Sequence, residues 1–403
     1  MHYAWVILIC CCLIQAGGSG AVASCLGLYV VPVCEEFGIG NAAFSLYLTI
    51  QNIFVAIAAS FSGKVITKFG VKKTLLIAII MNAIWFIGLS RAQSITVFYV
   101  LGALIGITFP MAIFLPVPTV ITAWFAEKRG FAMGLAMAFG GIGGAGFSVV
   151  YSNIIDMFGW RNSYLAMAVI SLAIILPCVI FFLKDTPAQK GCLPYGKADA
   201  AAEKLIGINV MTGIDAAGVW KRGIFWAAIF VGGLAAYVCN YITYLSAHGI
   251  DVGLSVVASG SLISAAMIGT MIGALMLGSL ADRIGIKQTF YVAGAIVIAG
   301  TVMLIIGNGF IILFAASVAF GFSSSVYTTM IPLLVQELFG SKDYGTIYSY
   351  IVAGKSFVAA MSLYLIGLLY DITGAYITGL FVALTAYVIF MMAITVMLRK
   401  KYY

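Results

Sequence analysis

The sequence predicts an all-α integral membrane protein, with twelve transmembrane helices arranged as two six-helix repeats. Three observations carry that prediction. Only 8% of the 403 residues are charged and 63% are hydrophobic, whereas soluble chains carry about 25% charge. The apolar runs have the length that crosses a bilayer, roughly 20 residues for about 30 Å of hydrocarbon. Finally, landmarks in the first half recur in the second at one constant offset. Continuous runs with scattered glycines exclude a β-barrel, whose strands alternate over short segments.

The spans follow in order. Residues 5–33 form the first, apolar for too long to be the 7 to 15 residue core of a signal peptide, so they are expected to stay attached. The second, 42–66, lies between Glu35-Glu36 and Lys68 and holds Gln51 and Asn52 midway. The third, 72–90, is framed by Lys73 and Arg91. In the fourth, 95–125, Pro110, Pro116 and Pro118 free backbone carbonyls, which is tolerated in lipid only against protein or a cavity. The fifth, 130–155, is glycine-dense, and the Gly140/Gly144 spacing suits close helix approach. The sixth, 162–183, ends at Lys184. After a polar stretch come 221–247, with Tyr237, Asn240, Tyr241 and Tyr244; 254–281, with Gly269/Gly273; 287–307; 310–338, with Ser323 to Ser325, Tyr327 and Pro332; 345–370, with Lys355; and 375–398.

The polar stretch divides these spans six and six. We therefore expect an N-terminal bundle over 1–184, a linker over 185–220 and a C-terminal bundle over 221–403. Shifting the first half by 215 residues superposes Gly63 on Gly278, Gly70 on Gly285, Gly130 on Gly345, Asp156 on Asp371 and Gly159 on Gly374. Parallel six-helix repeats are one architecture of secondary transporters. With both termini cytoplasmic, 18 of the 21 Lys and Arg fall on the cytoplasmic side, as the positive-inside rule requires. The net charge of +8 thus reads as orientation and contact with lipid head groups, not as a nucleic-acid footprint. The expected location is the cytoplasmic membrane, with both termini inside the cell.

The inventory argues against an enzyme. There are only two histidines, His2 and His248, and the eight cysteines sit mostly in apolar runs without paired spacing. No catalytic residue, metal site or cofactor is expected. One residue stands out: Lys355 lies near mid-bilayer, where a lysine costs roughly 2.5–3.5 kcal/mol on insertion scales. Glu337, Asp343 and Asp371 all fall at span ends, so no acid is available to pair with it. Two readings follow: an anion-binding group, or an ammonium bonded to carbonyls freed by a kink. Gln51, Asn52, Tyr237, Asn240, Tyr241 and Tyr327 lie at similar depth and could complete a substrate pocket.

Between the eighth and ninth spans stands Gly278-Ser-Leu-Ala-Asp-Arg-Ile-Gly-Ile-Lys287. The segment resembles the inter-helix signature of the major facilitator superfamily, which implies a conformational loop of Gly278, Asp282, Arg283 and Gly285. Its copy in the first half keeps Gly63 and Gly70 but has Thr67 where the acid belongs. Further passages resemble the oxalate/formate antiporter and monocarboxylate transporter branch: Trp124 to Gly134, Gly159-Trp160-Arg161, Gly191 to Gly196, and Tyr370 to Gly374. That resemblance implies an alternating-access carrier of small organic anions. Its departure is the uncharged eighth span, where members of this branch place an arginine. A single cation suits one carboxylate, so a monocarboxylate is the expected substrate, with a proton or an exchanged anion as co-transported partner and a monomer as the working unit. The alternatives are a major facilitator drug or sugar transporter, or a dicarboxylate (oxalate/formate-type) exchanger.

Overall fold

The computed structural model describes residues 2–196 and 213–399; part of the expected linker, 197–212, lies outside the described residues. The helices are α1 (Tyr3–Gln15), α2 (Val30–Phe37), α3 (Asn41–Phe69), α4 (Val71–Ser90), α5 (Ile95–Phe109), α6 (Pro116–Trp124), α7 (Arg129–Pro177), α8 (Gly223–Asn240), α9 (Leu245–Asp251), α10 (Val256–Ile284), α11 (Ile286–Ile306), α12 (Phe310–Ser325), α13 (Ile331–Phe339), α14 (Tyr344–Thr373) and α15 (Ile377–Met397). Ten segments of the described residues are long and apolar enough to cross a membrane, and one of them, Arg129–Phe182, runs for 54 residues. It turns at Gly159, where φ 82° and ψ 162° suit a residue without Cβ, and so supplies the fifth and sixth spans. The 30-residue α14 completes the twelve.

Departures from the sequence reading lie at span ends and kinks. The first span is not one helix: α1 passes through a π turn (Ala16–Gly20) and a 3-10 stretch (Ala23–Tyr29) before α2. The Ala-Gly-Gly-Ser-Gly run gives the α register little side-chain support. Glu35 and Glu36 accordingly lie in the last turn of α2, and Asp156 lies within α7. The proline-bearing spans carry π turns where a freed carbonyl was expected, at Pro110–Phe114 and Val326–Met330.

The repeat is visible in the backbone. Gly70 and Gly285 adopt nearly identical angles, φ 85°, ψ 156° and φ 87°, ψ 158°, each linking two spans through a single residue. Across the molecule α3 packs on α14 and α7 on α10, so each repeat presents two spans to the other. Within repeats, α1 packs on α7 and α10 on α12.

The linker is pinned at both ends. Tyr195 pairs with Phe125 after α6, and Gly213 pairs with Gly340 after α13. Those two partners, Phe125 and Gly340, are again 215 positions apart. Lys342 reinforces the second attachment through a 2.6 Å ion pair with Asp215. The face of the molecule carrying these loops is termed the linker face.

Candidate functional site

Lys355 is 5% exposed. Its Nζ lies 3.9 Å from the centroid of the Tyr327 ring and 5.8 Å from that of Tyr348, and it donates a long 3.5 Å hydrogen bond to the Tyr327 carbonyl oxygen. An ammonium over an aromatic face gains from the ring quadrupole, the more so when water is excluded. α8 supplies the opposite wall: the Gly232 position faces the Lys355 Cβ, and a Cβ there would come within 3.2 Å. On the same helix, the Cys239 thiol lies 3.2 Å from the Ser324 hydroxyl. Lys355 takes no part in the ion pairs described, Glu36–Arg161 and Lys342–Asp215. What the lysine does engage among the described residues is a backbone carbonyl and aromatic rings.

The other expected pocket residues are not all brought together. Asn240 approaches the Lys355 face of α14, donating to Ala359 O at 2.9 Å and to Ser362 Oγ at 2.7 Å. Tyr327 is at the centre. Tyr237 and Tyr241 turn away: their hydroxyls donate to Gly379 O at 3.5 Å and Tyr376 O at 2.7 Å, across to α15 and the turn before it. Their direction has a simple cause, since a buried phenol seeks an acceptor and these carbonyls supply one. Gln51 is buried in the first repeat with its amide oxygen facing no protein donor, and Asn52 is exposed. The contacts described for Lys355 all come from the second repeat.

The repeats meet closely on the linker face. Asp282 accepts from Gly130 N and Phe131 N, both at 2.7 Å, and so satisfies two of the orphan donors at the start of α7. The equivalent place in the other repeat pair holds Thr67, whose hydroxyl donates to Gly63 O at 2.8 Å and lies 3.3 Å from the Thr346 hydroxyl at the start of α14. Glycine makes both contacts possible: a Cβ on Gly130 would strike Gly278 O, and one on Gly63 would meet Gly345 O at 2.7 Å. Arg283 is exposed nearby. At this seam lies a cavity of about 740 Å³, with Thr67, Arg129, Asp185, Asp282 and Asp343 in its lining.

A family model described as Major Facilitator Superfamily matches residues 8–362 and 229–402. The chain belongs to this superfamily. It is a multi-pass membrane transporter, and the fold is the major facilitator fold. Among curated relatives, the MFS-type transporter YhjX of Escherichia coli (strain K12) is 24% identical over 77% of this chain and 75% of its own length. Monocarboxylate transporter 12 of Rattus norvegicus is 23% identical over 93% and 81%. A probable sulfoacetate transporter, SauU of Cupriavidus necator, is 27% identical over 71% and 66%. Among solved structures, the fucose transporter FucP in its outward conformation superposes with a TM-score of 0.74 at 14% identity, covering 98% of this chain and 99% of that one. The xylose symporter XylE gives 0.73 at 12% identity, covering 97% and 94%. Superfamily members carry small molecules and often couple to protons; these relatives and neighbours are transporters, not enzymes.

Sequence reasoning missed the partners of the superfamily loop, Phe131 and Thr346. The 215-residue offset relates these two positions, as it does Thr67 and Asp282. That offset was the signal that could have found them. Tyr348, one turn after Tyr344, on which its ring stacks, and two turns before Lys355 on α14, was also missed.

Proposed function

We propose that this major facilitator carries a small organic monocarboxylate by alternating access, with Lys355 neutralising the carboxylate at mid-membrane. The observation that carries the reading is Lys355 itself. It is a buried cation with no carboxylate partner among those described, held by one long carbonyl bond and an aromatic face. A carboxylate arriving there replaces a weak neutral acceptor with a full opposite charge in a site shielded from water, where such a contact is strongest. One cation balances one carboxylate, which favours formate, lactate or pyruvate over oxalate or sulfoacetate. The names of the monocarboxylate relatives support the same class.

The remaining roles follow from this reading. The linker face is cytoplasmic, as the basic residues require, and both termini lie inside. Asp282 with Gly130, and Gly63 and Thr67 with α14, hold that face shut while the opposite side admits substrate. Gly70 and Gly285 fix the sharp turns that let each loop reach across, and Arg283 stays on the cytoplasmic surface. Asn240 steadies α14 beside Lys355, while Gln51 offers an amide from the first repeat. The working unit is a monomer, and the co-transported species is a proton or a counter-moving anion.

Uptake by proteoliposomes tests the reading. Labelled formate, lactate and pyruvate are expected to enter, and Lys355→Ala to abolish entry while the variant folds. Strong oxalate transport without any monocarboxylate transport would overturn the substrate class.

A further inference from the structure

The Tyr327 carbonyl that faces Lys355 is available because of where Pro332 stands. In an α-helix the Tyr327 oxygen would accept from the N–H of Ile331, four residues on. Here the Val326–Met330 stretch is a π turn, and the Ile331 N–H reaches back to Val326 O instead. In that wider register the next donor for Tyr327 O would be residue 332, a proline, which has no N–H. Both backbone partners are thus removed from one carbonyl, and the Lys355 ammonium occupies it at 3.5 Å while resting 3.9 Å from the ring centroid of the same residue.

The first repeat has the same device without the lysine. Leu115 N–H reaches back to Pro110 O in a π turn, and Pro116 then leaves Met111 O without its next donor. At the position equivalent to Lys355 the first repeat has Gly140. A proline after a π turn therefore belongs to both halves, and only the second couples it to a cation.

We propose that Pro332 is a positioning residue for anion recognition: by freeing the Tyr327 carbonyl it provides Lys355 with an internal ligand that an incoming carboxylate must displace. The carbonyl and ring stabilise the ammonium in the empty carrier, and this competition lowers anion affinity to a level at which the anion can leave again. Too firm a grip on the substrate would slow a carrier, because release is part of every cycle. The proposal rests on the reading of Lys355 as the anion-binding group.

Binding of formate and lactate to the full-length protein, followed by calorimetry, tests it. Pro332→Ala supplies an N–H to that turn and withdraws the carbonyl from Lys355. Formate and lactate are then expected to bind on the order of tenfold more tightly, as removal of a competing hydrogen bond to a charged group implies, while maximal uptake falls. Pro116→Ala, the same change where no lysine stands, is expected to leave the dissociation constant within about twofold of wild type. Unchanged or weaker binding in Pro332→Ala, or equal tightening in both variants, overturns the proposal while leaving Lys355→Ala to decide the substrate reading separately. Should Pro332→Ala fail to fold, wild-type protein labelled with carbonyl-13C tyrosine gives the answer by infrared difference spectroscopy. Formate is expected to shift a tyrosine carbonyl band as the ammonium leaves it, and Lys355→Met to lack that shift; no formate-dependent carbonyl shift in wild type overturns the proposal.

Discussion

The Thr67 hydroxyl faces the Thr346 hydroxyl at 3.3 Å, across the same kind of seam at which Asp282 binds two backbone N–H groups of α7. Repeat symmetry makes the two contacts equivalent in position, and chemistry makes them unequal. A carboxylate at a helix N-terminus gains from charge-assisted bonds and from the helix dipole. A threonine pair gains only a neutral hydrogen bond. In the proposed gate, the linker-face seam therefore has one strong contact and one weak one.

Asp282→Asn tests the strong latch. Loss of the charge is expected to weaken closure by about 1–2 kcal/mol. Spin labels on the linker-face ends of α7 and α10 should then report a several-fold larger population of separated repeats. Unchanged distance distributions would show that glycine packing alone holds the seam.

Thr67→Asp tests the weak latch in the opposite direction. A carboxylate placed beside the start of α14 is expected to stabilise the closed linker face by about 1 kcal/mol and to slow turnover several-fold. The measurement is the rate of counterflow exchange in vesicles, with thermal stability as the second readout.

Close approach gives a third expectation. A side chain on Gly278 would collide with the backbone at Gly130 O and with Gly134 Cα at 2.9 Å, so Gly278→Val should prevent closure. A cysteine placed in the seam is expected to become reactive to a water-soluble maleimide in this variant and to stay protected in the parent.

Lys355→Met separates binding from folding. Uptake should fall by at least about 30-fold, as expected when a buried charge partner is lost. The midpoint of thermal unfolding is expected to hold or rise, because a buried ammonium is replaced by an apolar side chain of similar length. A collapse of stability with no specific loss of binding would make the lysine structural.

The Glu36–Arg161 ion pair of the first repeat offers a pH prediction. Glu36 is held below the usual carboxylate range, first by its hydrogen bond from Arg161 and then by that from Trp160 against the opposing pull of desolvation. A carboxylate depressed in the folded state contributes stability above its unfolded pKa and loses it as pH falls through the folded value. Both side chains are more than a third exposed, so the contribution is about 1 kcal/mol or less. Glu36→Gln should lower the melting temperature slightly at pH 7, and the gap should close below about pH 4.

Much of this molecule was legible in its sequence because lipid imposes simple demands. Charge marks the ends of spans, length sets their number, and a constant offset exposes the repeat. The position of Lys355 was legible for the same reason, since nothing else in the eleventh span is charged. Its immediate partner was half legible: Pro332 announces a freed carbonyl, but the π register that hands over Tyr327 O depends on how the turn settles in three dimensions. The directions of Tyr237 and Tyr241 were not legible. Spacing places them on one helical face, but only packing decides that α15 lies there with accepting carbonyls.

Each stub of the linker is fastened to the repeat from which it emerges, Tyr195 to Phe125 and Gly213 to Gly340. The covalent joint is therefore dispensable for locating either end. Two separately encoded polypeptides, residues 1–196 and 213–403, should recognise one another through the α3–α14 and α7–α10 seams and reconstitute uptake when produced together. Such a split carrier would let one half be isotopically labelled while the other stays silent.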